Sequence, residues 1–297
     1  MSRLKRLIET TPLLLGLKFA FLKPLHWLMY TIKRNPNEIH TATRGAVGIV
    51  SSPEYDHIPK HPDAGLCKGG YLVMHNGVRV LPTCYIGWQN YAMLRASKGV
   101  HEPEEERVFM NVLTTMKPGA TMVELGAYWA FYSLWFQQAV PNARSVLVEP
   151  MLSNLNYGRK NFLINSRRGE FVHAFVGAEE SSGECGRTVT VDSLIRDHGI
   201  TAIDILHADI QGVERRMLMG GRTAFQAGII KWVFISTHSE QLHNDCRDEL
   251  SRHGYVMVAE AQASEIDGPD GVLVMRHHTV PDPEISPILL RRCVNGA

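Results

Sequence analysis

The chain has 297 residues, 44% hydrophobic and 21% charged, which excludes wholesale disorder and a polytopic membrane protein and suits one large α/β domain with additions, or two small ones. Lys+Arg at 31 against Asp+Glu at 30 excludes a global basic field that would recruit nucleic acid. The five cysteines, Cys67, Cys84, Cys185, Cys246 and Cys293, lack C-x-x-C or zinc spacing and read as free thiols in a reducing cytosol.

Charge is uneven along the chain. Residues 1–44 hold eight Lys/Arg and two Asp/Glu, a net +6, which leaves −5 for the rest. The apolar run PLLLGLKFAFLKPLHWLMYTI (12–32) contains Lys18 and Lys23, each costing about 2.5–3.5 kcal/mol at a bilayer centre, and Pro24 breaks its helix. A spanning helix is therefore not expected. The segment reads as a basic, apolar helical arm. Residues 1–40 then lie either on a membrane surface or against the body or a second subunit of a homodimer.

Residues 45–70 read as loop. YLVMHNGVRVL (71–81) places Asn76-Gly77 between two β-prone runs, the pattern of a hairpin with a type I′ turn. The stretch 101–120 reads as a helix. Pro103 suits its first turn, Glu104, Glu105 and Glu106 favour its positive end, and Val108, Phe109, Val112, Leu113 and Met116 recur at helical spacing. Lys117-Pro118-Gly119 stops it. Strands then alternate with helices: strands 121–125, 145–149, 171–178, 203–209 and 229–237, helices 129–139, 153–165, 191–199, 213–221 and 240–254. A final pair, 255–261 and 271–277, forms a hairpin. This order predicts a doubly wound, mostly parallel sheet of the Rossmann-like kind. The expected organisation is a helical arm at 1–44, a loop and β-hairpin extension at 45–100, the main domain at 101–280 and a tail at 281–297.

Glu124-Leu125-Gly126-Ala127 ends the first parallel strand. An acid and then Gly at a strand-to-helix turn let a ligand approach the backbone, and the helix that follows offers its positive end. The string G-A-Y-W-A lacks the glycines of a pyrophosphate cradle, which disfavours a dinucleotide. Glu149, before Pro150, ends the second strand, where an acid accepts both hydrogen bonds of a ribose diol. An acid-x-Gly turn with a second-strand acid one βαβ unit later marks an S-adenosylmethionine (AdoMet) site. Glu124, Gly126, Ala127, Tyr128, Glu149 and Pro150 are the expected cofactor contacts. Tyr128, Trp129, Phe131 and Tyr132 offer aromatic faces to a sulfonium or a sugar. His101 and Glu102 are placed near the same pocket by topology.

In that order, the strings VELGAYWAFYSL, VLVEPMLSNLNYGRKNF, TVTVDSL, IDILHADIQGVERRMLMGG and FISTHSEQLHNDCRDELSRHGY resemble the FkbM-type methyltransferases over roughly residues 101–275. The resemblance implies a seven-stranded class I fold, AdoMet as cofactor, and methylation of hydroxyl groups on sugars, glycans or polyketides. Glu124 and Gly126 match the acid and first glycine of the cofactor turn, and Glu149 the ribose acid, with Asn154 and Asn161 in the next helix. Asp209, Gly212 and Glu214 match the acidic stretch after the fourth strand, and His238 a histidine after the fifth. Ala130 stands where the family has a second loop glycine, Tyr128 for its usual Asn, His207 for a common Lys and Gln211 for a common Glu.

Methyl transfer to an alcohol requires its oxygen to be held near the methyl carbon and its proton to be taken. Asp209 and His238, at the C-terminal ends of adjacent strands, are the expected catalytic pair, with His238 as base. His207 lies deeper and reads as support. Asp209, Glu214 and His238 are also oxygen- and nitrogen-bearing candidates for a divalent metal, but Gln211 lowers the local charge and no metal is assigned. The expected function is an AdoMet-dependent O-methyltransferase acting on a sugar hydroxyl of a glycan, glycolipid or glycosylated metabolite. The expected location is the cytoplasm, or peripherally the inner face of a membrane. The rivals are a non-catalytic AdoMet-binding scaffold, favoured by Ala130 and Gln211, and a nicotinamide oxidoreductase.

Overall fold

A computed structural model describes residues 45–290 apart from 86, 184, 185 and 267. The expected arm at 1–44 and the tail's last residues, 291–297, lie outside the described residues. A three-stranded antiparallel sheet comes first, with β1 (Cys67–Lys68), β2 (Tyr71–Val73) and β3 (Arg79–Val80), followed by α1 (Gly87–Ala96) and α2 (Pro103–Leu113). The main domain continues with β4 (Thr121–Leu125), α3 (Phe131–Ala139), β5 (Arg144–Val148), α4 (Leu152–Ile164) and β6 (Glu170–Val172). A second small sheet contains β7 (Phe175–Val176), β8 (Ser181–Gly183) and β9 (Gly186–Val189), and α5 (Val191–Asp197) follows it. The chain returns to the main sheet through β10 (Ile203–Ala208), α6 (Glu214–Gly220), α7 (Arg222–Gln226), β11 (Ile230–Thr237), α8 (Glu240–Arg252), β12 (Tyr255–Ala261) and β13 (Gly271–His277).

The main sheet has seven strands in the order β12-β13-β11-β10-β4-β5-β6. Pairs from β11 to β6 are parallel, and β13 runs against both of its neighbours. This is the doubly wound, mostly parallel sheet expected from the alternation of strands and helices. The strand order reverses between β4 and β10, so loops after those strands diverge and open a crevice. No helix among the described residues is long and apolar enough to cross a membrane.

Several local expectations are corrected. Only Gly77 of the Asn76-Gly77 pair has positive φ, whereas a type I′ turn needs it at both residues. The Gly77 N–H donates to Met74 O and the Val78 N–H to Asn76 Oδ1, so the side chain of Asn76 closes a wider hairpin loop. Residues 45–51, read as loop, are helical. Helix α2 ends at Leu113, sooner than its apolar spacing suggested, because the hydroxyls of Thr114 and Thr115 turn back to donate to Asn111 O and Val112 O. The run 171–178, read as one strand, bends after Val172 and contributes to two sheets.

The extension and the tail are fastened to the main domain. Asn161, fully buried in α4, accepts from Leu81 N at 2.9 Å and donates to Trp129 O at 2.9 Å. It therefore clamps the hairpin to the turn after β4 rather than facing a ligand. Arg107 of α2 pairs with Glu54 at 2.5 Å and donates to Ser286 O and Pro287 O, while Leu289 N donates to Glu54. One buried ion pair thus ties residues from both ends of the described chain to the first turns of α2.

Candidate active site

The turn after β4 is built on alternating left-handed residues: Gly126, Tyr128 and Ala130 have φ of 76°, 44° and 66°. A Cβ on Gly126 would lie 1.8 Å from the carbonyl oxygen of Asp209. The glycine is thus required by the neighbouring strand end and brings Asp209 against the turn. Gly126 N and Ala127 N both donate to Val148 O at 2.9 Å. Ala130 keeps the glycine-like conformation despite its Cβ, at about 1–2 kcal/mol of local strain.

Glu149 is buried at the end of β5. It accepts from Tyr128 N at 3.0 Å and from Met151 N at 2.7 Å, with Asn154 Nδ2 at 3.4 Å. Burial raises its pKa against these hydrogen bonds. Around it opens a cavity of about 690 Å³, bounded also by Gly126, Tyr128, Pro150, Phe175, Asp209 and Gln211. That volume lies in the range of cofactor pockets, roughly 300–1,000 Å³. Met151 and Phe175, which line it, are 57% and 44% exposed, leaving apolar surface for a flat ring to cover. Carboxylate and amide beside apolar walls fit the hydroxyls and the base of a nucleoside.

Two expected cofactor contacts do not line this cavity. Glu124 is buried beneath α3, where its carboxylate accepts from Ser133 N at 3.2 Å. Burial lifts its pKa to about 7. Ala127 is buried and its N–H is taken by Val148 O. Pro150, Tyr128, Gly126 and Glu149 do line it.

Asp209 follows β10 and stands at the wall of the cofactor cavity. His238, after β11, reaches it: Nε2 lies 3.3 Å from Asp209 Oδ1 and 3.3 Å from Asp270 Oδ1, and Nδ1 lies 2.8 Å from Glu214 Oε1. Burial alone would lower the His238 pKa; hydrogen bonds to Asp209 and Glu214 and the charge of Asp270 outweigh it and raise the value to about 10. Both ring nitrogens therefore carry protons at neutral pH, so the imidazolium has no lone pair with which to act as the base expected from the sequence. The charge of His238 in turn holds Asp209 below the usual carboxylate range despite its burial. Glu214 also accepts from Gly212 N at 3.1 Å. Among the described residues no cluster of three or more His, Cys, Asp or Glu has metal-binding geometry.

Asp270 belongs to a second, smaller cavity of about 170 Å³, bounded by Ile49, Tyr85, His101, Glu102 and Ser236 among others. The linings of the two cavities have no residue in common but touch at two places. Through His238, Asp209 of the larger lining meets Asp270 of the smaller, and the ring of Tyr85 in the smaller lies 5.7 Å from that of Tyr128 in the larger and 5.7 Å from that of His101. The first turn of α2 forms the floor. Glu106 lies 2.5 Å from His101 Nδ1 and 3.2 Å from His75 Nε2. Glu105 lies 2.6 Å from His207 Nε2 and accepts from Ser236 at 3.0 Å, and Glu104 accepts from Ser52 at 2.7 Å. Burial works against charged His101 and His207, but their carboxylate neighbours raise both to about 9. Glu102 goes the other way: burial pushes it up to about 7, even with His101 beside it.

The structure thus brings Asp209 and His238 together, with His207 buried as support. It adds Asp270, Glu105 and Tyr85, which the sequence reading missed. Asp270 sat in a turn-rich connection with no periodic signal. Glu105 sat in an acidic run that equally suits a helix dipole. Trp129 and Phe131 stack at 5.2 Å but are buried, so they pack rather than meet a ligand.

Residues 111–257 match the methyltransferase FkbM domain. Among solved structures the chain is similar to precorrin-6y C5,15-methyltransferase from Geobacter metallireducens, at 14% identity and TM-score 0.43, covering 73% of this chain and 98% of that one. It is also similar to M. capricolum TrmK in complex with S-adenosyl-homocysteine, at 14% identity and TM-score 0.42, covering 58% and 68%. A third is a ribosomal protein L11 methylase from Lactobacillus delbrueckii subsp. bulgaricus, at 11% identity and TM-score 0.42, covering 60% and 81%. No curated protein matches the chain. Residues 111–257 are a methyltransferase FkbM domain, with S-adenosylmethionine as its cofactor.

Proposed function

We propose that the protein transfers a methyl group to a hydroxyl oxygen, on a sugar of a glycan, glycolipid or glycosylated metabolite. The observation that carries this reading is the pair of cavities bridged by Asp209–His238–Asp270, one of cofactor size and one much smaller, each lined by carboxylates. AdoMet bound in the larger cavity supplies an electrophilic methyl group. Glu149 and Asn154 would hold the ribose hydroxyls, and Met151 and Phe175 would flank the base. Ionised Asp209 favours positive charge at the wall, and His238 fixes its orientation. The smaller cavity offers Tyr85 as a ring for a sugar face and carboxylates as acceptors for its hydroxyls. In this reading the enzyme works in the cytoplasm, and the basic arm docks it at a membrane surface or a second subunit.

The test is transfer of radiolabelled methyl from AdoMet, with the product degraded to show its linkage. A methyl ether supports the reading; an N- or C-methyl product overturns it. Cofactor placement is tested by calorimetry. Glu149→Ala is expected to weaken AdoMet binding by about 1.5–3 kcal/mol, the scale of hydrogen bonds to a charged group, and unchanged affinity would move the site elsewhere.

A further inference from the structure

We propose that the Glu102 carboxylate receives the acceptor's hydroxyl proton, and that the cavity it lines admits uncharged or cationic acceptors and excludes anionic ones. The proposal rests on the O-methyl-transfer reading above. The small cavity is bordered by Glu102, Glu104, Glu105 and Asp270, and among the described residues no Lys or Arg lines it. A phosphate or carboxylate entering it would lose its hydration beside four carboxylates, and the one imidazolium on its lining, His101, is already held by Glu106 and Glu102. A neutral polyol meets mainly acceptors, which suits a compound rich in hydroxyl donors, and an ammonium group gains further.

Of these four carboxylates, Glu105 is engaged by His207 and Ser236, and Glu104 by Ser52. Asp270 lies 3.3 Å from His238 Nε2, in the cluster that links that ring to Asp209 and Glu214. Glu102 differs. Its Oε2 accepts from the Tyr132 hydroxyl at 2.7 Å and lies 3.5 Å from His101 Nε2, while Oε1 has no protein partner among the described residues. The side chain is 38% exposed, and it lines the cavity on the side of the Tyr85 ring. One oxygen is therefore anchored and the other is free to accept. In the step, the hydroxyl oxygen forms a bond to the methyl carbon and the carbon–sulfur bond breaks with its electron pair left on sulfur. The hydroxyl proton passes to Glu102 Oε1. The charged and titratable groups facing Glu102 are His101, Glu105, Tyr132, His207, Asp209 and Tyr85. Burial, with Glu105 and Asp209 nearby, raises its pKa above the usual carboxylate range against the pull of His101 and Tyr132, toward neutral pH, where a general base is most effective.

The experiment uses the full chain with radiolabelled AdoMet and an extract of metabolites and glycans from the source cells, split by ion exchange into neutral, cationic and anionic fractions. Label is expected in the neutral or cationic fraction. Glu102→Gln is expected to lower kcat about 100-fold or more, with AdoMet affinity within twofold of wild type by calorimetry. Glu102→Asp is expected to restore part of the rate. The wild-type rate is expected to rise with pH through about 7, and that limb is expected to vanish in the Gln variant. Methyl ethers found only in the anionic fraction, or a Gln variant with full turnover, would overturn this proposal and leave O-methyl transfer standing. Label in no fraction, or label on nitrogen, would overturn the functional reading itself.

Discussion

The two faces of the main sheet are built from different chemistry. Toward α8 the strands present Val123, Leu125, Val146, Val148, Leu206, Val233 and Ile235, all buried in one aliphatic cluster. Toward α2 and α3 the same strands present Glu124, His207 and Ser236 among Met122, Leu147, Trp232 and Phe234. Alternate residues of β4, β10 and β11 thus point either into a dry core or into a network of carboxylates and imidazoles. The first face only holds the sheet together. The second packs against the start of α2, whose Glu102, Glu104 and Glu105 help make the small cavity acidic, and its charges depend on partners from other elements.

That contrast predicts unequal responses to substitution. The largest is expected at Glu105, which pairs with His207 and Ser236 under the sheet. Glu105→Ala leaves an uncompensated buried imidazolium and should cost about 3–5 kcal/mol by urea denaturation. The double replacement Glu105→Leu with His207→Leu should cost much less, because it removes both charges. Equal losses for the single and double variants would mean that packing, not charge, governs this face.

A second, smaller effect is set by pH. His101 and His207 have folded values of about 9 against an ordinary 6.5. Their contribution is therefore whole below about pH 6.5 and is lost as pH rises through 9. Stability should fall by up to about 3 kcal/mol for each imidazole across that window, and by less in the Glu105→Leu/His207→Leu variant, which lacks one of the two. Denaturation midpoints at pH 6.5 and 9.5 make the comparison; a flat profile in the wild type would remove the charge network as a source of stability.

The smallest effect is expected on the aliphatic face. Ile235→Val deletes one buried methyl and should cost about 0.5–1.5 kcal/mol, with the same loss at both pH values. A pH-dependent cost there would show that the two faces are coupled through the strands they share.

Much of this architecture could be read from the residues. Strands bounded by helix patterns named the parallel sheet, and the run from β12 to β13 named its antiparallel edge, because period and turn chemistry are local properties. Glu149 was legible for the same reason: an acid at the end of the second strand has one place to be. Asp209 and His238 were legible as strand-end residues, which in an open sheet share one edge.

What the tertiary structure alone decided was the state and company of each group. Three successive glutamates opening α2 satisfy a helix dipole on sequence grounds; only packing buried them and assigned His207, His101 and Ser52 as partners. Gly126 reads as room for a ligand, yet the atom that demands it is the carbonyl of Asp209, a neighbour 83 positions away. His238 reads as a neutral base, but Glu214, Asp209 and Asp270 converge on it from three segments and keep it charged. Local sequence sets backbone periodicity and capping, which act over a few residues. Protonation and hydrogen-bond partnership depend on distances between residues far apart in the chain, and folding alone brings those together.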